Sequence, residues 1–291
     1  MPRTIRLYDL NGNLKVDMSS RITSYCPGHN CVRILDRVTG TLRPCTLQDI
    51  RETAKVYEAL ANISMSCSLG YPGNVPAEDE GAATVKTLFE HCTKPAAILA
   101  HDEHIQARIL AHLSNLAGGY QNLGDKPIAL ELMGPISPLR LPAEFCERVI
   151  NAAHHRLPIV CYPATFPGMF SPISVAGAIA QSSAEAIAGV VIHQLTEPGA
   201  PILSGSAVLP MDMRQADLAY GSPEYMLKGL ELQITSAPSA FRHGSVRAVR
   251  IPTPSMRRLR QRPGQIWRSP RWRAHHSWIT SDFCLAAGPA R

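Results

Sequence analysis

The chain has 291 residues, 45% of them hydrophobic, and a formal net charge of +6. That length supports one large domain, or one domain with an appendage, and with no run of 18 apolar residues and no apolar core in the N-terminal MPRTIRLYDL, neither a membrane span nor a secretory leader is expected. The charge is segregated: residues 232–291 hold eleven Arg, no Lys and one acid, Asp282, which leaves 18 basic against 22 acidic side chains in residues 1–231.

In chain order, IRLYDLNGNLKVDM sets two β-prone runs around Asn11-Gly12, a hairpin signal. VRILDRVTGTLRPCT reads as a second short β pair, and TLQDIRETAKVYEAL as a helix that Thr46 can cap. Apolar runs then recur at 63–68, 96–101, 128–133, 159–163 and 202–206, with helical stretches between them. Pro95, Pro127, Pro158 and Pro201 stand before four of the five runs, where no ladder donor is needed. Strands this uniformly apolar, separated by helices, predict parallel β/α units. The longest helical stretch, SPISVAGAIAQSSAEAIAGVVIHQL, offers Ser171 as N-cap and Pro172 at the first position. In it Ile173, Ala176, Ala180, Ser183, Ile187 and Val190 fall on one face.

The predicted class is α/β: five β/α units of an incomplete (β/α)8 TIM-type barrel, with an open sheet as the alternative. The predicted organisation is an N-terminal β-hairpin segment over 1–45, a β/α barrel portion over 46–231 and an irregular Arg/Pro/Trp-rich tail over 232–291. That tail holds all three Trp (Trp267, Trp272, Trp278). Arg with Trp suggests nucleic-acid binding, but the abrupt compositional change fits better a shifted translation frame of a GC-rich gene, and no nucleic-acid partner is expected. The eight cysteines form no CxxC pair and several lie in apolar runs, as reduced buried thiols of a cytoplasmic protein do.

Residues 166–227 carry ordered motifs: Gly168, Pro172 and Ala176-Gly177; Ser183-Ala184-Glu185; Pro198-Gly199-Ala200-Pro201; Asp212-Met213-Arg214; and Gly221-Ser222-Pro223-Glu224. With LDRVTGTLRPCTLQDI, NVPAEDEGAATVKTLFEHCTKP and GPISPLRLPAEF upstream, this series resembles the trimethylamine methyltransferase family over roughly 1–231. Family members are much longer, and the trimethylamine enzymes carry a pyrrolysine in the region where this chain stops matching. The resemblance implies a TIM-barrel enzyme that moves a methyl group from trimethylamine, or from a quaternary amine such as glycine betaine, to the cobalt of a separate corrinoid protein. It implies no tightly bound cofactor, a cognate corrinoid protein as partner, a small methylated amine as substrate, no membrane, and a homo-oligomer as an option.

Barrel sites form at the C-terminal ends of strands. Asp212 and Arg214, beyond the last strand, are therefore catalytic candidates: a carboxylate offsets an ammonium charge, and Arg214 could grip a betaine carboxylate. An Asp–Arg pair that merely pins the loop is the competing reading. Glu131, a lone acid in IALELM, is the third catalytic candidate, against a structural ion pair. Tyr162, Phe166 and Phe170 offer aromatic faces to a quaternary ammonium, against ordinary core packing, and Glu224 joins them as a substrate-binding candidate, against stabilising a helix start. Glu185 and Gln194 are expected in surface or capping roles, and Ser137-Pro138 in shaping a loop. His101 and His104, spaced i, i+3, raise a metal-dependent barrel hydrolase as an alternative, but no metal set of accepted spacing accompanies them. A further alternative is an inactive or partner-binding fragment of such a barrel.

Overall fold

A computed structural model describes residues 5–18, 24–28, 31, 33–36, 39–205, 207–212, 214, 217–219, 245–248 and 283–286. β1 (Arg6–Tyr8) and β2 (Leu14–Asp17) form the Asn11-Gly12 hairpin. Gly12 takes φ 80°, and the Asp9 carboxylate accepts from the backbone N–H groups of Asn11 and Asn13. β3 (Ser24–Tyr25) follows, then the antiparallel pair β4 (Arg33–Leu35) and β5 (Leu42–Pro44). α1 (Leu47–Ala59) starts at Thr46, whose N–H and hydroxyl both donate to the Asp49 carboxylate. Arg43 binds the same carboxylate through two nitrogens at 2.8 Å and fixes the β5–α1 junction.

The parallel part runs β6 (Ser66–Cys67), α2 (Ala77–His91), β7 (Ala96–Ile98), α3 (Glu103–Ala117), α4 (Tyr120–Asp125), β8 (Ala129–Met133), α5 (Ala143–His154) and β9 (Ile159–Cys161). It continues through β10 (Ala164–Thr165), α6 (Val175–Thr196), β11 (Ile202–Ser204) and β12 (Ala207–Val208). A small antiparallel hairpin, β13 (Met211–Asp212) with β14 (Asp217–Leu218), follows. β15 (Ser245–Ala248) and β16 (Phe283–Ala286) pair with β3 in the order β15-β16-β3.

All five predicted apolar runs become strands of one parallel sheet, ordered β11-β9-β8-β7-β6. The four prolines do what the sequence leads one to expect. Each gives up no donor, and its carbonyl receives a neighbour's N–H: Ser66 on Pro95, Tyr8 on Pro127, Glu131 on Pro158 and Ile159 on Pro201. Among the described residues β11 and β6 do not pair with each other, so the sheet is open there and its expected form as part of a barrel is not established.

The two faces of the sheet bury different partners. Ala129 and Met133 of β8 pack with Ile109, Leu110 and Leu113 of α3 and with Phe145 and Val149 of α5. Leu130 and Leu132, alternating with them, pack with Val160, Leu203 and the hairpin residues Ile5, Leu7 and Val16. Each of these large side chains contributes about 1.5–3 kcal/mol on burial. Tyr8 N–H reaches Pro127 O and Leu10 N–H reaches Thr93 O, so the hairpin crosses beside the N-terminal ends of β7 and β8. The C-terminal ends are left for a site.

α6 departs from expectation in two ways. Its N-cap is Ser174, whose hydroxyl accepts from Gly177 N–H, not Ser171. A Cβ on Gly177 would meet Pro172 Cβ at 2.7 Å and Ser174 Oγ at 2.8 Å, so this cap needs a glycine there. The buried face is Ala178, Ile179, Ser182, Glu185, Ala186, Gly189, Val190 and His193, while Ile173, Ala176, Ala180 and Ile187 of the predicted apolar face are exposed. Among the described residues α6 is long and apolar enough to cross a membrane by length and composition, but its inner face packs on the sheet and buries Glu185 and His193.

Candidate active site

The C-terminal ends of β8, β9 and β11 are bound to one another and extended by short strands. Tyr162 N–H donates to Met133 O, Gly205 N–H to Cys161 O, and β10 pairs in parallel with β12 just above. Gly134 sits so close to the Tyr162 carbonyl that a Cβ would collide with it. Tyr162 packs against the inner-face cluster, at the mouth end of β9. Phe166 and Phe170 follow β10 and meet edge to face, ring centroids 5.7 Å apart, with Phe170 exposed. The structure therefore brings the two phenylalanines together on the loop above β9.

Asp212 lies on β13 of the rim hairpin, and its carboxylate accepts from the backbone N–H of exposed Arg214 at 2.9 Å. That bond is an Asx turn, which shapes the hairpin, and it runs to the Arg214 main chain. Glu224 lies outside the described residues.

Glu131 is placed differently from its expected position at the mouth. It alternates with Leu130 and Leu132 and so points to the helix layer, fully buried. There its carboxylate accepts from Gln106 Nε2 at 2.5 Å and from Arg148 Nε at 3.2 Å. Gln106 also donates to Arg148 O and accepts from Asn151 Nδ2, which ties β8, α3 and α5 into one network. Burial pushes the Glu131 carboxyl up, against the opposing pull of Arg148. The period-two alternation of a strand carries this acid to the side away from the mouth.

Glu185, expected on the surface, is instead buried at 2% exposure. Its carboxylate accepts from Ser137 Oγ at 2.6 Å, from Leu139 N–H at 2.9 Å and from Gln181 Nε2 at 2.9 Å. Gln181 Nε2 also reaches Phe170 O. The loop after β8 and the loop after β10 are thus both held from α6. A signal for this was in the sequence: Glu185 is the lone acid in a helix apolar all round, and such an acid is either exposed or fully hydrogen-bonded. Gln194 does cap, donating to Ala200 O and accepting from Gly199 N–H in the Pro198–Pro201 turn.

His101 packs against the Tyr71 ring at 4.9 Å, and Asp102 caps α3 by accepting from Ile105 N–H. Among the described residues no group of three or more His, Cys, Asp and Glu could hold a metal. The seven described cysteines are free thiols.

Fold and rim together define a parallel β/α protein that presents aromatic and acidic side chains at the C-terminal ends of its strands. The family model for trimethylamine methyltransferase matches residues 1–233, and the chain belongs to that family. It is 24% identical over 223 residues to trimethylamine methyltransferase MttB of Desulfitobacterium hafniense, covering 77% of this chain and 45% of that protein. It is 30% identical over 186 residues to MttB1 of Methanosarcina mazei, covering 61% and 36%. To the glycine betaine methyltransferase of Desulfitobacterium hafniense it is 25% identical over 233 residues, covering 78% and 47%. The chain spans less than half the length of these relatives.

Proposed function

We propose that this chain carries the amine-binding rim of a methyltransferase that takes a methyl group from trimethylamine or a quaternary amine such as glycine betaine. The family match over residues 1–233, which includes every rim element described above, carries the reading. The methyl acceptor is the cobalt of a separate corrinoid protein, which acts as nucleophile in an in-line displacement, and the chain itself keeps no tightly bound cofactor. From a quaternary amine or protonated trimethylamine, the N–CH3 bond breaks with its electron pair going to nitrogen, so the amine leaves without its positive charge.

That charge change sets what the residues do. An ion pair that held the ammonium tightly would favour the ground state over the transition state. Aromatic faces attract an ammonium by about 0.5–2 kcal/mol and position it without that penalty. Tyr162, Phe166 and Phe170 take this role. Asp212 offsets part of the charge from the rim, Arg214 receives the carboxylate of a betaine-type substrate, and Glu224 joins the substrate contacts. Glu131 holds the β8–α3–α5 framework and touches no substrate. The parallel sheet is the larger part of a (β/α)8 barrel that further units would close, and the protein works in the cytoplasm. The exposed rim side chains Leu139 (66%) and Met169 (50%) support docking of the corrinoid protein over the mouth.

The test is methyl transfer from trimethylamine or glycine betaine to reduced cobalamin, followed by the cobalamin spectrum, with and without a metal chelator. Transfer that survives chelation supports the reading. Transfer that depends on metal contradicts it, and a folded chain inactive with every amine is a remnant of the enzyme.

A further inference from the structure

We infer that Glu185 is the buried countercharge of the rim: acting through the two rim loops without touching the substrate, it makes the site prefer a cation to a neutral molecule of the same shape. The inference rests on the amine-binding reading and adds to it the residue that selects for charge.

Four acids are buried among the described residues: Asp9, Asp49, Glu131 and Glu185. Three have a cation of their own. Lys15 Nζ lies 3.3 Å from Asp9, Arg43 Nη1 2.8 Å from Asp49 and Arg148 Nε 3.2 Å from Glu131. Among the described residues Glu185 has no such partner. The Ser137 hydroxyl, the Leu139 N–H and the Gln181 amide, which bind its carboxylate, are all neutral donors. They satisfy its oxygens and leave its charge in place. No Lys or Arg occurs between Arg156 and Arg214, and Arg140, the one cation on the loop after β8, is exposed. His193 lies about two turns further along α6, and burial holds its ring neutral. At 2% exposure Glu185 is closed off by its own surroundings, so further chain would not bring a cation into contact with it. A buried charge left unpaired breaks a general rule of folding, and such exceptions gather at functional sites.

The position of the charge names what balances it. One nitrogen, Gln181 Nε2, stands 2.9 Å from Glu185 Oε1 and 2.8 Å from Phe170 O, so the charge lies directly behind the aromatic loop. Its bonds to Ser137 and Leu139 place it equally close behind the loop after β8. Its field reaches the end of β9 as well: burial, and after it the Glu185 charge, push the Cys161 thiol up to about 12. Tyr162 is the next residue. Opposite unit charges about 8 Å apart, at an effective dielectric constant of about 20, still change an affinity by on the order of tenfold. A charge held behind the loops draws a cation in without the tight contact that would oppose loss of charge from nitrogen.

The test compares two ligands of similar shape, tetramethylammonium and neutral tert-butyl alcohol, by NMR titration of the full chain. Wild type is expected to bind the cation more tightly. Glu185→Gln is expected to weaken tetramethylammonium by on the order of tenfold and to leave tert-butyl alcohol within about twofold. Gln181→Lys, one helical turn before Glu185, should do the same by neutralising the carboxylate in place. Gln181→Met removes the same amide but not the charge, and should keep the preference of wild type. Gln181 is only half-buried, so this pair keeps the test decisive if Glu185→Gln misfolds. A purely structural role would move both ligands together, and that result overturns the inference. So does a wild type without preference for the cation. A preference that survives Glu185→Gln and Gln181→Lys overturns it too, while leaving the amine-binding reading intact. A preference lost in both variants, in a chain that transfers methyl from no amine to reduced cobalamin, upholds the inference and removes the methyltransferase reading.

Discussion

Glu131 and Arg148 share a nearly dry site, with Arg148 side chain at 12% exposure and Glu131 at 0%. Removing one partner strands the other charge. Arg148→Ala should therefore lower stability by about 3–5 kcal/mol, read as the urea midpoint, whereas the Glu131→Leu, Arg148→Met pair should cost far less. A Glu131→Gln chain that unfolds normally yet loses methyl transfer would restore Glu131 to the substrate. His193 is the second buried residue with consequences. Its Nε2 has no partner, and burial pushes its pKa from 6.5 down to about 4. The folded chain keeps this ring neutral while the unfolded chain takes up a proton near pH 6.5. The stability involved is whole above that pH and drains as pH falls toward 4. Between pH 7 and pH 5, wild type should lose about 2 kcal/mol more than His193→Gln, measured by chemical denaturation at both values.

At the scale of elements, α6 acts as the bar to which two rim loops are fastened. Glu185→Ala frees Ser137, the Leu139 N–H and Gln181 at once. Amide hydrogen exchange in residues 135–141 should quicken by more than about tenfold while β8 and α3 stay protected. Unchanged exchange there would show that the loop holds its shape by itself. Gly189→Ala probes the same buried face one turn further on: its Cβ would lie 2.5 Å from Cys161 Sγ and 3.2 Å from Phe145 Cζ. Pushing α6 off β9 should cost about 1–3 kcal/mol. These contacts also explain what could be read from sequence. Strand existence followed from apolar runs introduced by prolines, and α1 from Thr46 as a cap before a helical stretch. The burial of α6 could not be read from its apolar period, because both faces satisfy it: Ile179 and Val190 go inward with alanine, glycine and one acid, while Ile187, Val191 and Leu195 stay out. Side-chain direction misplaced Glu131 for a related reason, since a strand covered on both faces shows no alternation to orient by.

For the whole molecule, the parallel sheet was legible from five apolar runs, while whether it closes was not, since its edges would meet only through residues distant in sequence. The family match ends at residue 233, beside the compositional change at 232. A shifted reading frame would account for eleven Arg without a Lys, and it predicts that another frame of the coding DNA continues an apolar β/α pattern beyond that point. Two frames without such a pattern would remove the idea. The central claim is that the C-terminal ends of β8, β9 and β11 face the amine, and one comparison reaches it directly: methyl transfer to reduced cobalamin by wild type, Tyr162→Leu and Glu131→Gln in parallel, at substrate concentrations that separate KM from kcat. The account predicts transfer by wild type, a KM raised about tenfold in Tyr162→Leu by loss of the aromatic face, and an unchanged KM in Glu131→Gln. Transfer that ignores Tyr162 but collapses with Glu131, at unaltered stability, would place the substrate on the other side of the sheet.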